Sequence, residues 1–341
     1  MSPISATVRI VVPCKNADAT IESCLRALYQ SRGIERHVLV VDDGGNSVLN
    51  GLQAKYSFDL VASPGETGAG AARNLGVRGF RGNVVVFVDA DIEVTSLVTI
   101  ATLVAPIVRG EAEATVGCYS SARRNNFFET YKHLYLAYTY SKTAGELKNT
   151  FWTGLCAVNR VWFEALQGFK ECYAGAGPED IEFGVAMTKR GGRIHPVSEA
   201  QGTHLASMSF KGLVWNDLRK GSEDIYVHWS RKIPLTNNRH VETADILAVA
   251  FASLSMFCLL LIPLVGNMPA ILCGLFYLAF RRKLLVNAFW GEGILPFFGS
   301  VLLSFVLDLV RACAVLAGTF LWGCERVTGG RWGPFLKPST H

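Results

Sequence analysis

Residues 84–93 read Val-Val-Val-Phe-Val-Asp-Ala-Asp-Ile-Glu, and the rest of the chain is organised around this stretch. Its first five residues are apolar and mostly β-branched, which predicts a strand buried on both faces. Asp89 and Asp91 follow directly, and side chains two residues apart at a strand end point the same way. Because carboxylates and a substrate phosphate are typical Mg²⁺ or Mn²⁺ ligands, the stretch predicts a metal and nucleotide-diphosphate site. A turn with a capping Asp is the alternative.

The composition divides the chain into a polar part and an apolar part. The 341 residues are 50% hydrophobic, and the mean hydropathy of +0.26 is high for a water-soluble protein. Charged residues are sparse in 246–324, which predicts a domain boundary near Arg239–Asp245. The net charge of +5 is too small to indicate nucleic-acid binding. The nine cysteines form no Cys-x-x-Cys pair, which favours a reducing compartment.

A strand–helix–strand unit precedes the central stretch. Residues 7–13 and 37–41 predict strands, and apolar residues recur at helical spacing over 21–28. Strands joined by a helix in this way are parallel, and ligands of such sheets bind beyond the carboxyl ends of the strands. Asp42 stands at such an end, as do the two aspartates described above. The sequence therefore predicts an α/β fold with a ligand site at this edge.

Residues 64–76, Pro-Gly-Glu-Thr-Gly-Ala-Gly-Ala-Ala-Arg-Asn-Leu-Gly, are rich in glycine but lack the spacing of a dinucleotide-binding fingerprint. They predict a loop that leads into a helix beginning near Gly70. Arg73 and Asn74 would face a nucleotide from this helix, because a guanidinium group fits the oxygens of a diphosphate. An ordinary surface ion pair is the alternative for Arg73.

Four motifs together resemble the family 2 glycosyltransferases, which have the Rossmann-like GT-A fold. The motifs are Ile-Val-Val-Pro at 10–13, Val-Asp-Asp-Gly at 41–44, Ala-Arg-Asn-Leu-Gly at 72–76 and Val-Asp-Ala-Asp at 88–91. Their order and spacing also match, and the resemblance covers about residues 7–200. It implies a nucleotide-sugar donor, a divalent cation (Mg²⁺ or Mn²⁺) and an inverting single displacement. Gly45 departs from the family, which usually has Ser there, but we expect the turn to need only a small residue.

The resemblance also implies roles for individual residues on the donor side. Pro13 and Asp42 would bind the donor, with Asp42 at its base. Arg73 would lie on the donor side, Asp89 at the ribose or the metal, and Asp91 at the metal.

A second set of residues resembles the acceptor side of the family. Residues 177–183, Gly-Pro-Glu-Asp-Ile-Glu-Phe, contain the Glu-Asp pair whose Asp is the family's catalytic base. Physical chemistry agrees, because a hydroxyl is a poor nucleophile until a carboxylate takes its proton, and a helix N-terminus keeps a carboxylate ionised. We therefore expect Asp180 to be the base and Glu179 to lie beside the acceptor, with a simple helix cap as the alternative. His204 lies where relatives often have a metal- or diphosphate-contacting His, although a structural His is the commoner case.

Two further segments lie between these motifs. Residues 151–173 resemble the family's segment beneath the donor sugar, where Gly154 permits close backbone approach. Residues 127–140 are dense in Phe and Tyr, which predicts a packed helix. An acceptor-facing or membrane-facing surface is the alternative.

Three apolar segments predict transmembrane helices. Residues 246–266 contain no charge and are long enough to cross a bilayer. Residues 270–280 are short for a crossing, so this helix extends further or forms a re-entrant hairpin with the first. Residues 294–323 are apolar apart from Asp308 and Arg311, which can pair on one helix face. We expect three crossings, with two or four as alternatives.

The charges that flank these segments predict the orientation. The basic triplet 281–283 follows the second segment, and positive charge marks the cytoplasmic side. We therefore expect a multi-pass membrane protein with a cytoplasmic GT-A catalytic domain over 1–240, transmembrane helices over 241–325 and a polar tail over 326–341.

These observations predict a membrane-anchored inverting glycosyltransferase that transfers a sugar to a hydroxyl of a lipid-linked or cell-surface glycan. Polyprenyl phosphate is the alternative acceptor, but a phosphate needs no base, and relatives with that acceptor usually have Leu-Gln where this chain has Ile92-Glu93. A sugar-1-phosphate nucleotidyltransferase would normally have a glycine-rich basic loop, unlike residues 13–16. A membrane scaffold without activity would not need Asp42, Asp89, Asp91 and Asp180.

Overall fold

The computed structural model describes residues 4–65, 67–121, 125–141, 151–173, 178–232 and 241–328. The strands are β1 (Ile4–Cys14), β2 (Ile34–Asp42), β3 (Asp59–Ala62), β4 (Val84–Val88), β5 (Ile92–Val94), β6 (Ala114–Tyr119), β7 (Leu155–Asn159) and β8 (Ile194–His204). The first helices are α1 (Ile21–Gln30), α2 (Leu49–Tyr56), α3 (Ala69–Val77), α4 (Thr99–Val108), α5 (Phe127–Ser141), α6 (Arg160–Ala165) and α7 (Glu179–Lys189). They are followed by α8 (Phe210–Arg231), α9 (Thr243–Leu260), α10 (Ile262–Val265), α11 (Met268–Leu284) and α12 (Ile294–Thr328). Arg239, Gly177 and residues 329–341 of the expected tail lie outside the described residues.

The chain forms two compact units. The sheet unit contains the described residues up to Ser120 together with Tyr140–Ala206. The helical unit contains the described residues of Ser121–Thr139 and those from Ser207 onward. This division differs from the expected boundary near residue 240, because α8 and most of α5 group with the apolar helices. The assignment of functional domains therefore stays a prediction.

All eight strands of the sheet unit belong to one sheet, in the order β3-β2-β1-β4-β7-β6-β8-β5. β1 is parallel to β2 and β4, and β2 is parallel to β3, which confirms the parallel arrangement predicted for the first strands. β7 runs antiparallel to both β4 and β6. The sequence did not predict this reversal, because β7 is short and its pairing is set by distant strands.

The central strand β4 is buried along its whole length, as its apolar run predicted. It pairs with β1 on one side and β7 on the other. A tight turn follows, in which the backbone N–H of Ile92 donates to the carbonyl of Asp89 at 2.9 Å. Asp89 and Asp91 are therefore placed by a turn, and not by strand alternation as the sequence argument assumed.

In the helical unit, α8 packs against α12 through small residues. A Cβ added at Gly221 would lie 2.9 Å from the Cβ of Ala314, and one at Gly318 would lie 2.6 Å from the carbonyl oxygen of Ser222. Such close approach of two helix backbones requires glycine or alanine at the contact. α5 contributes buried Tyr131 to the same unit, which confirms the packed-helix interpretation of residues 127–140.

Alternating charges form a continuous ion-pair chain through the helical unit. The pairs are Lys132–Asp217 at 3.5 Å, Asp217–Arg311 at 2.7 Å, Arg311–Asp308 at 2.8 Å, Asp308–Arg281 and Arg281–Asp245. The predicted pair of Asp308 and Arg311 is thus confirmed, and Asp308 is fully buried. Because three acidic and three basic groups alternate, each buried charge has an opposite charge beside it, which burial requires.

Two helices within the described residues are long and apolar enough to cross a membrane, namely α9 and α12. The third expected crossing falls on α11, which has only 17 residues. The structure therefore offers two candidate crossings where the sequence predicted three.

Candidate active site

Asp42 and Pro13 lie together at the carboxyl ends of β2 and β1. Asp42 ends β2, and its Oδ1 accepts hydrogen bonds from the Gly44 backbone at 3.0 Å and from the Asn46 amide at 2.6 Å. Pro13 pairs in register with Val41, the residue before Asp42. The structure thus brings these two predicted donor-binding residues to one edge of the sheet.

The turn after Asp42 needs glycine rather than any small residue. Gly45 has φ +76°, and a Cβ there would lie 1.8 Å from Oδ1 of Asn16. A serine at this position would therefore meet backbone strain, and the Asn16 side chain would have to move. This corrects the expectation that any small residue would serve.

Asp43, which the sequence analysis did not assign, holds the loop before α3 in place. Its carboxylate accepts hydrogen bonds from the Ser63 hydroxyl at 2.7 Å, the Thr67 backbone at 2.7 Å and hydroxyl at 2.8 Å, and the Gly68 backbone at 3.0 Å. Burial alone would raise the pKa of Asp43, but these hydrogen bonds outweigh it and lower the pKa. Asp43 therefore stays ionised and fixes the start of the helix that carries Arg73.

Arg73 joins the two acidic motifs of the sheet unit. Its Nη1 donates to Oε1 of Glu179 at 2.9 Å, and its Nη2 donates to Oδ1 of Asp89 at 2.7 Å. The side chains of Arg73 and Glu179 are 4% and 3% exposed, whereas that of Asp89 is 35% exposed. Burial disfavours the charged guanidinium, but Asp89 and Glu179 outweigh burial and raise the pKa of Arg73.

In the structure, Arg73 and Asn74 bind protein groups, and their contacts with a nucleotide stay a prediction. Both terminal nitrogens of Arg73 already bind carboxylates. The Asn74 amide donates to the carbonyl of Phe169 at 2.8 Å, and its Oδ1 accepts the Phe169 N–H at 2.9 Å. Both side chains therefore position neighbouring segments, and a sequence motif alone does not reveal such partners.

Asp91 and His204 are in contact at another part of the candidate site. Nε2 of His204 lies 3.3 Å from Oδ2 of Asp91, and both side chains are partly exposed. The antiparallel pairing of β5 with β8 creates this contact, because Ile92 is opposite His204 in the register. The structure thus brings together two of the three residues expected at the metal, and Asp89, the third, pairs with Arg73.

Asp180 lies in the first turn of α7, next to buried Glu179. Its Oδ1 accepts the backbone N–H of Ile181 at 2.7 Å. The N-terminal end of a helix favours an ionised carboxylate. This environment suits the predicted role of Asp180 as a base.

Tyr119, at the end of β6, lies among these carboxylates. Burial and Tyr140, followed by the charges of Asp89, Asp91 and Asp180, raise the pKa of the Tyr119 hydroxyl well above its usual value. The hydroxyl therefore remains protonated. Sequence reasoning missed Tyr119, because it belongs to no motif.

The comparison with known sequences identifies this unit. Residues 9–166 match the family described as Glycosyl transferase family 2. The chain carries a family 2 glycosyltransferase domain. The match includes Pro13, Asp42, Arg73, Asp89 and Asp91, and it ends before the Glu-Asp pair.

Two glycosyltransferases of known sequence are similar to parts of this domain. Glycosyltransferase GlyA of Streptococcus pneumoniae is 29% identical over 118 residues, which make up 33% of this chain and 17% of that protein. An uncharacterized glycosyltransferase of Haemophilus influenzae is 33% identical over 84 residues, which make up 24% of this chain and 28% of that protein. The similarity thus spans less than a third of either relative.

A solved structure shares the fold over nearly the whole chain. The mannosyltransferase PcManGT of Pyrobaculum calidifontis, in complex with GDP-Man and Mn²⁺, has a TM-score of 0.55 and 17% identity. The likeness covers 96% of this chain and 90% of that one. At this identity the comparison shows the fold alone, and it confirms the GT-A fold predicted from the motifs.

An aromatic cluster lies next to the Arg73 bridge, by which we mean the hydrogen bonds of Arg73 to both Asp89 and Glu179. The ring centroids of Phe169 and Phe183 are 4.8 Å apart, and those of Phe169 and Phe87 are 5.3 Å apart. The Arg73 guanidinium lies 5.9 Å from the Phe169 centroid. The cluster ties β4 to α7 through apolar contacts, so the bridge spans elements that are already held together.

The residues of the site fit a divalent cation only together with a substrate. The part of the chain that the structure describes contains no group of three or more His, Cys, Asp or Glu that could hold a metal ion. Asp91 and His204 offer an oxygen and a nitrogen 3.3 Å apart. Mg²⁺ and Mn²⁺ commonly complete such a partial set with phosphate oxygens and water.

We expect Gly154→Ala to destabilise the glycosyltransferase domain through Tyr119. A Cβ at residue 154 would lie 2.7 Å from the Tyr119 hydroxyl and 3.5 Å from Oδ2 of Asp89. Overpacking of this kind costs about 1–3 kcal/mol of unfolding free energy. Urea unfolding of the single variants and of Gly154→Ala/Tyr119→Phe tests the cause. The loss of unfolding free energy caused by Gly154→Ala should be smaller in the Tyr119→Phe background, which lacks the hydroxyl. An equal loss in the natural and Tyr119→Phe backgrounds would refute the contact.

Proposed function

We propose that this protein is a membrane-anchored, metal-dependent, inverting glycosyltransferase. It moves a sugar from a nucleotide-diphosphate donor to a hydroxyl of a lipid-linked or cell-surface glycan. One observation carries the proposal: Arg73 binds Asp89 and Glu179 at the same time, so the donor-side aspartates lie next to the acceptor-side Glu-Asp pair. Neither a nucleotide-binding module nor a scaffold requires this juxtaposition.

The reaction proposed for this site is a single displacement. Asp180 takes the proton of the acceptor hydroxyl while the hydroxyl oxygen attacks the anomeric carbon of the donor. The bond between that carbon and the diphosphate oxygen breaks on the opposite side, which inverts the configuration and releases a nucleoside diphosphate. Asp42 and Pro13 would hold the nucleotide, and Asp91 and His204 would hold Mg²⁺ or Mn²⁺. A bound cation would neutralise the charge that develops on the leaving diphosphate.

Metal-dependent nucleotide binding tests the donor half of the proposal. With Mn²⁺ present, one nucleoside diphosphate at a hundred times its dissociation constant should stabilise the protein by about 2.7 kcal/mol. Asp91→Ala should lose this stabilisation, because the carboxylate beside His204 is removed. Thermal unfolding of the purified protein with a panel of nucleotides, with and without Mn²⁺, is the measurement.

Glu93→Ala is the matched control for that experiment. Glu93 is an acidic residue two positions further on, and it pairs with Arg26 at 3.0 Å outside the site. It should keep the full nucleotide-dependent shift. A shift that persists in Asp91→Ala, or is absent from the natural protein, would contradict the donor site.

The membrane part of the proposal rests on the helical unit. α9 and α12 have the length and apolarity of membrane helices. The basic triplet Arg281-Arg282-Lys283 favours a cytoplasmic position for the adjoining end of α11. We propose that the protein is an integral membrane protein with its catalytic domain in the cytoplasm. Retention in the membrane fraction after carbonate washing would test the anchoring.

A further inference from the structure

α9 and α11 form a helical hairpin with a charged base and an apolar tip. α9 begins beside Asp245, and α11 ends beside Arg281, which forms an ion pair with Asp245. The tip, defined here as residues 261–268, contains the short helix α10. Between Ile246 and Phe280 the sequence contains no Asp, Glu, Lys, Arg or His. All charge is therefore confined to one end of the hairpin.

The tip is apolar and exposed. Leu264 is 81% exposed and Met268 is 66% exposed, while adjoining Leu260 is 73% exposed. A turn in water normally consists of polar residues, because its backbone and side chains meet solvent. The composition of this tip is instead that of a segment surrounded by hydrocarbon.

Several backbone groups of the tip form local hydrogen bonds. The N–H groups of Leu261, Leu264, Val265 and Gly266 donate to carbonyl groups three or four residues earlier, at 2.9 to 3.2 Å. Pro263 and Pro269 have no N–H group to satisfy. A non-helical turn enters hydrocarbon only when its polar backbone groups are paired, and these features reduce the number left unpaired.

Both helices of the hairpin expose an apolar face. At 3.6 residues per turn, exposed Ile246, Leu254 and Phe257 lie on one side of α9, and exposed Ile271 and Leu275 lie on one side of α11. Together with the exposed tip, these faces form an apolar surface without charge along the length of the hairpin. This surface favours hydrocarbon as the occupant.

The interfacial anchors lie only at the base. Exposed Arg282 and Lys283 are near the end of α11, and no Trp or Tyr occurs between 246 and 276. Helices that cross a bilayer normally have aromatic or basic anchors at both interfaces. At the α-helical rise, the uncharged part of α11, residues 268–280, is about 20 Å long, whereas the hydrocarbon core is about 30 Å thick.

We propose that α9–α11 is a re-entrant hairpin that enters and leaves the bilayer on the same side, with residues 261–268 inside the hydrocarbon core. The inference rests on the membrane anchoring in the proposed function and specifies its topology. α9 then inserts into the membrane without crossing it, although it has the length of a crossing. The Asp245–Arg281 pair marks the level at which the hairpin leaves the lipid.

Cysteine labelling in cells tests this topology. The background replaces the four cysteines that are at least partly exposed, Cys172, Cys258, Cys313 and Cys324, with alanine. Asn267→Cys then places one thiol at the tip, and Lys283→Cys places one at the base. With a membrane-impermeant maleimide, we expect no labelling of either site in intact cells. Permeabilised cells should show labelling of the base, and only dissolution in SDS should expose the tip. The same background without an added cysteine measures the labelling of the five buried native cysteines that SDS also exposes.

The outcomes separate the topology from the proposed function. Labelling of Asn267→Cys in intact cells would show that the hairpin crosses the bilayer. This result would overturn the re-entrant topology but not the proposal of a membrane-anchored glycosyltransferase. Release of the unmodified chain by carbonate would instead overturn the membrane anchoring. Activity of the labelled variants on a nucleotide-sugar donor reports separately on the glycosyltransferase assignment.

Reconstitution of the purified protein in lipid vesicles tests whether lipid alone surrounds the tip, because no partner protein is present. Purified protein in phosphatidylcholine–phosphatidylglycerol vesicles is spin-labelled at the tip or at the base. Oxygen should relax the tip label more strongly than a water-soluble nickel complex, and the base label should show the reverse order. A tip label that the nickel complex reaches in these vesicles would refute insertion into hydrocarbon.

Discussion

Asp180→Asn is expected to lower the rate of sugar transfer by about 10²–10⁴-fold, the usual contribution of a general base. The amide keeps the shape of the side chain and cannot take a proton at neutral pH. Donor binding should be unchanged, because the residue lies on the acceptor side of the Arg73 bridge. Steady-state kinetics and the nucleotide-dependent unfolding shift, measured on the same preparation, separate the two effects.

Glu182→Gln provides the matched control for this variant. Glu182 is another acidic residue in the first turn of α7, so it shares the helix terminus with Asp180. Its replacement changes the same charge on the same turn and should leave the turnover within a few-fold of normal. Full transfer to a hydroxyl acceptor by Asp180→Asn would eliminate Asp180 as the base. Full transfer to a polyprenyl phosphate alone would favour the phosphate acceptor, which needs no proton removal.

The donor-side motifs could be placed from the sequence because each is local. The apolar run of β4 predicted a buried strand, and the strand is buried throughout. The motifs predicted that Asp42 and Asp89 lie at strand ends, and in the structure Asp42 ends β2 and Asp89 directly follows β4. Such inferences succeed because alternation, strand length and turn chemistry act over a few neighbouring residues.

The partners of the site residues could not be predicted, because they are distant in sequence. Arg73 and Glu179 are separated by 106 residues, and Asn74 reaches Phe169 across 95. The sequence showed a guanidinium and several carboxylates, but it did not show which of them pair. Asp43 was not assigned for the same reason, since its four hydrogen bonds come from a loop 20 to 25 residues away.

The helical unit shows the same contrast between local and distant contacts. The pair of Asp308 and Arg311 followed from their spacing of three on one helix. The bonds from Asp308 to Arg281 and from Arg311 to Asp217 join different helices and became visible only in three dimensions. Burial alone would raise the pKa of Asp217, but Lys132 and Arg311 outweigh it and lower the pKa to about 2. Asp217 therefore remains charged at every physiological pH.

Arg73→Met is expected to have the largest effect on stability, a loss of about 3–5 kcal/mol of unfolding free energy. Methionine fills much of the same volume, but it leaves the carboxylate of Glu179 buried without its cation. The carboxylate of Asp89 is destabilised less by the loss of Arg73, because its side chain is partly exposed to water. Urea unfolding and transfer kinetics should show both destabilisation and loss of activity.

Arg73→Lys is the conservative variant for this test. A single ammonium group keeps the positive charge, but it lacks the planar fork that reaches both carboxylates. We expect it to recover much of the stability and little of the transfer, since only one of the two acidic segments can be held. Equal stability and activity of the methionine variant and the natural protein would show that the bridge is not needed.

The double variant Arg73→Met/Glu179→Gln distinguishes a positioning role from a purely structural one. Glu179→Gln removes the buried negative charge that Arg73→Met leaves without a cation. The double variant should therefore be more stable than Arg73→Met alone. Its turnover should remain low, because the hydrogen bonds that align α7, which carries Asp180, with Asp89 are then missing. If stability and turnover recover together, Arg73 serves the fold alone. Recovery of stability without turnover would mean that the bridge aligns Asp180 with the donor.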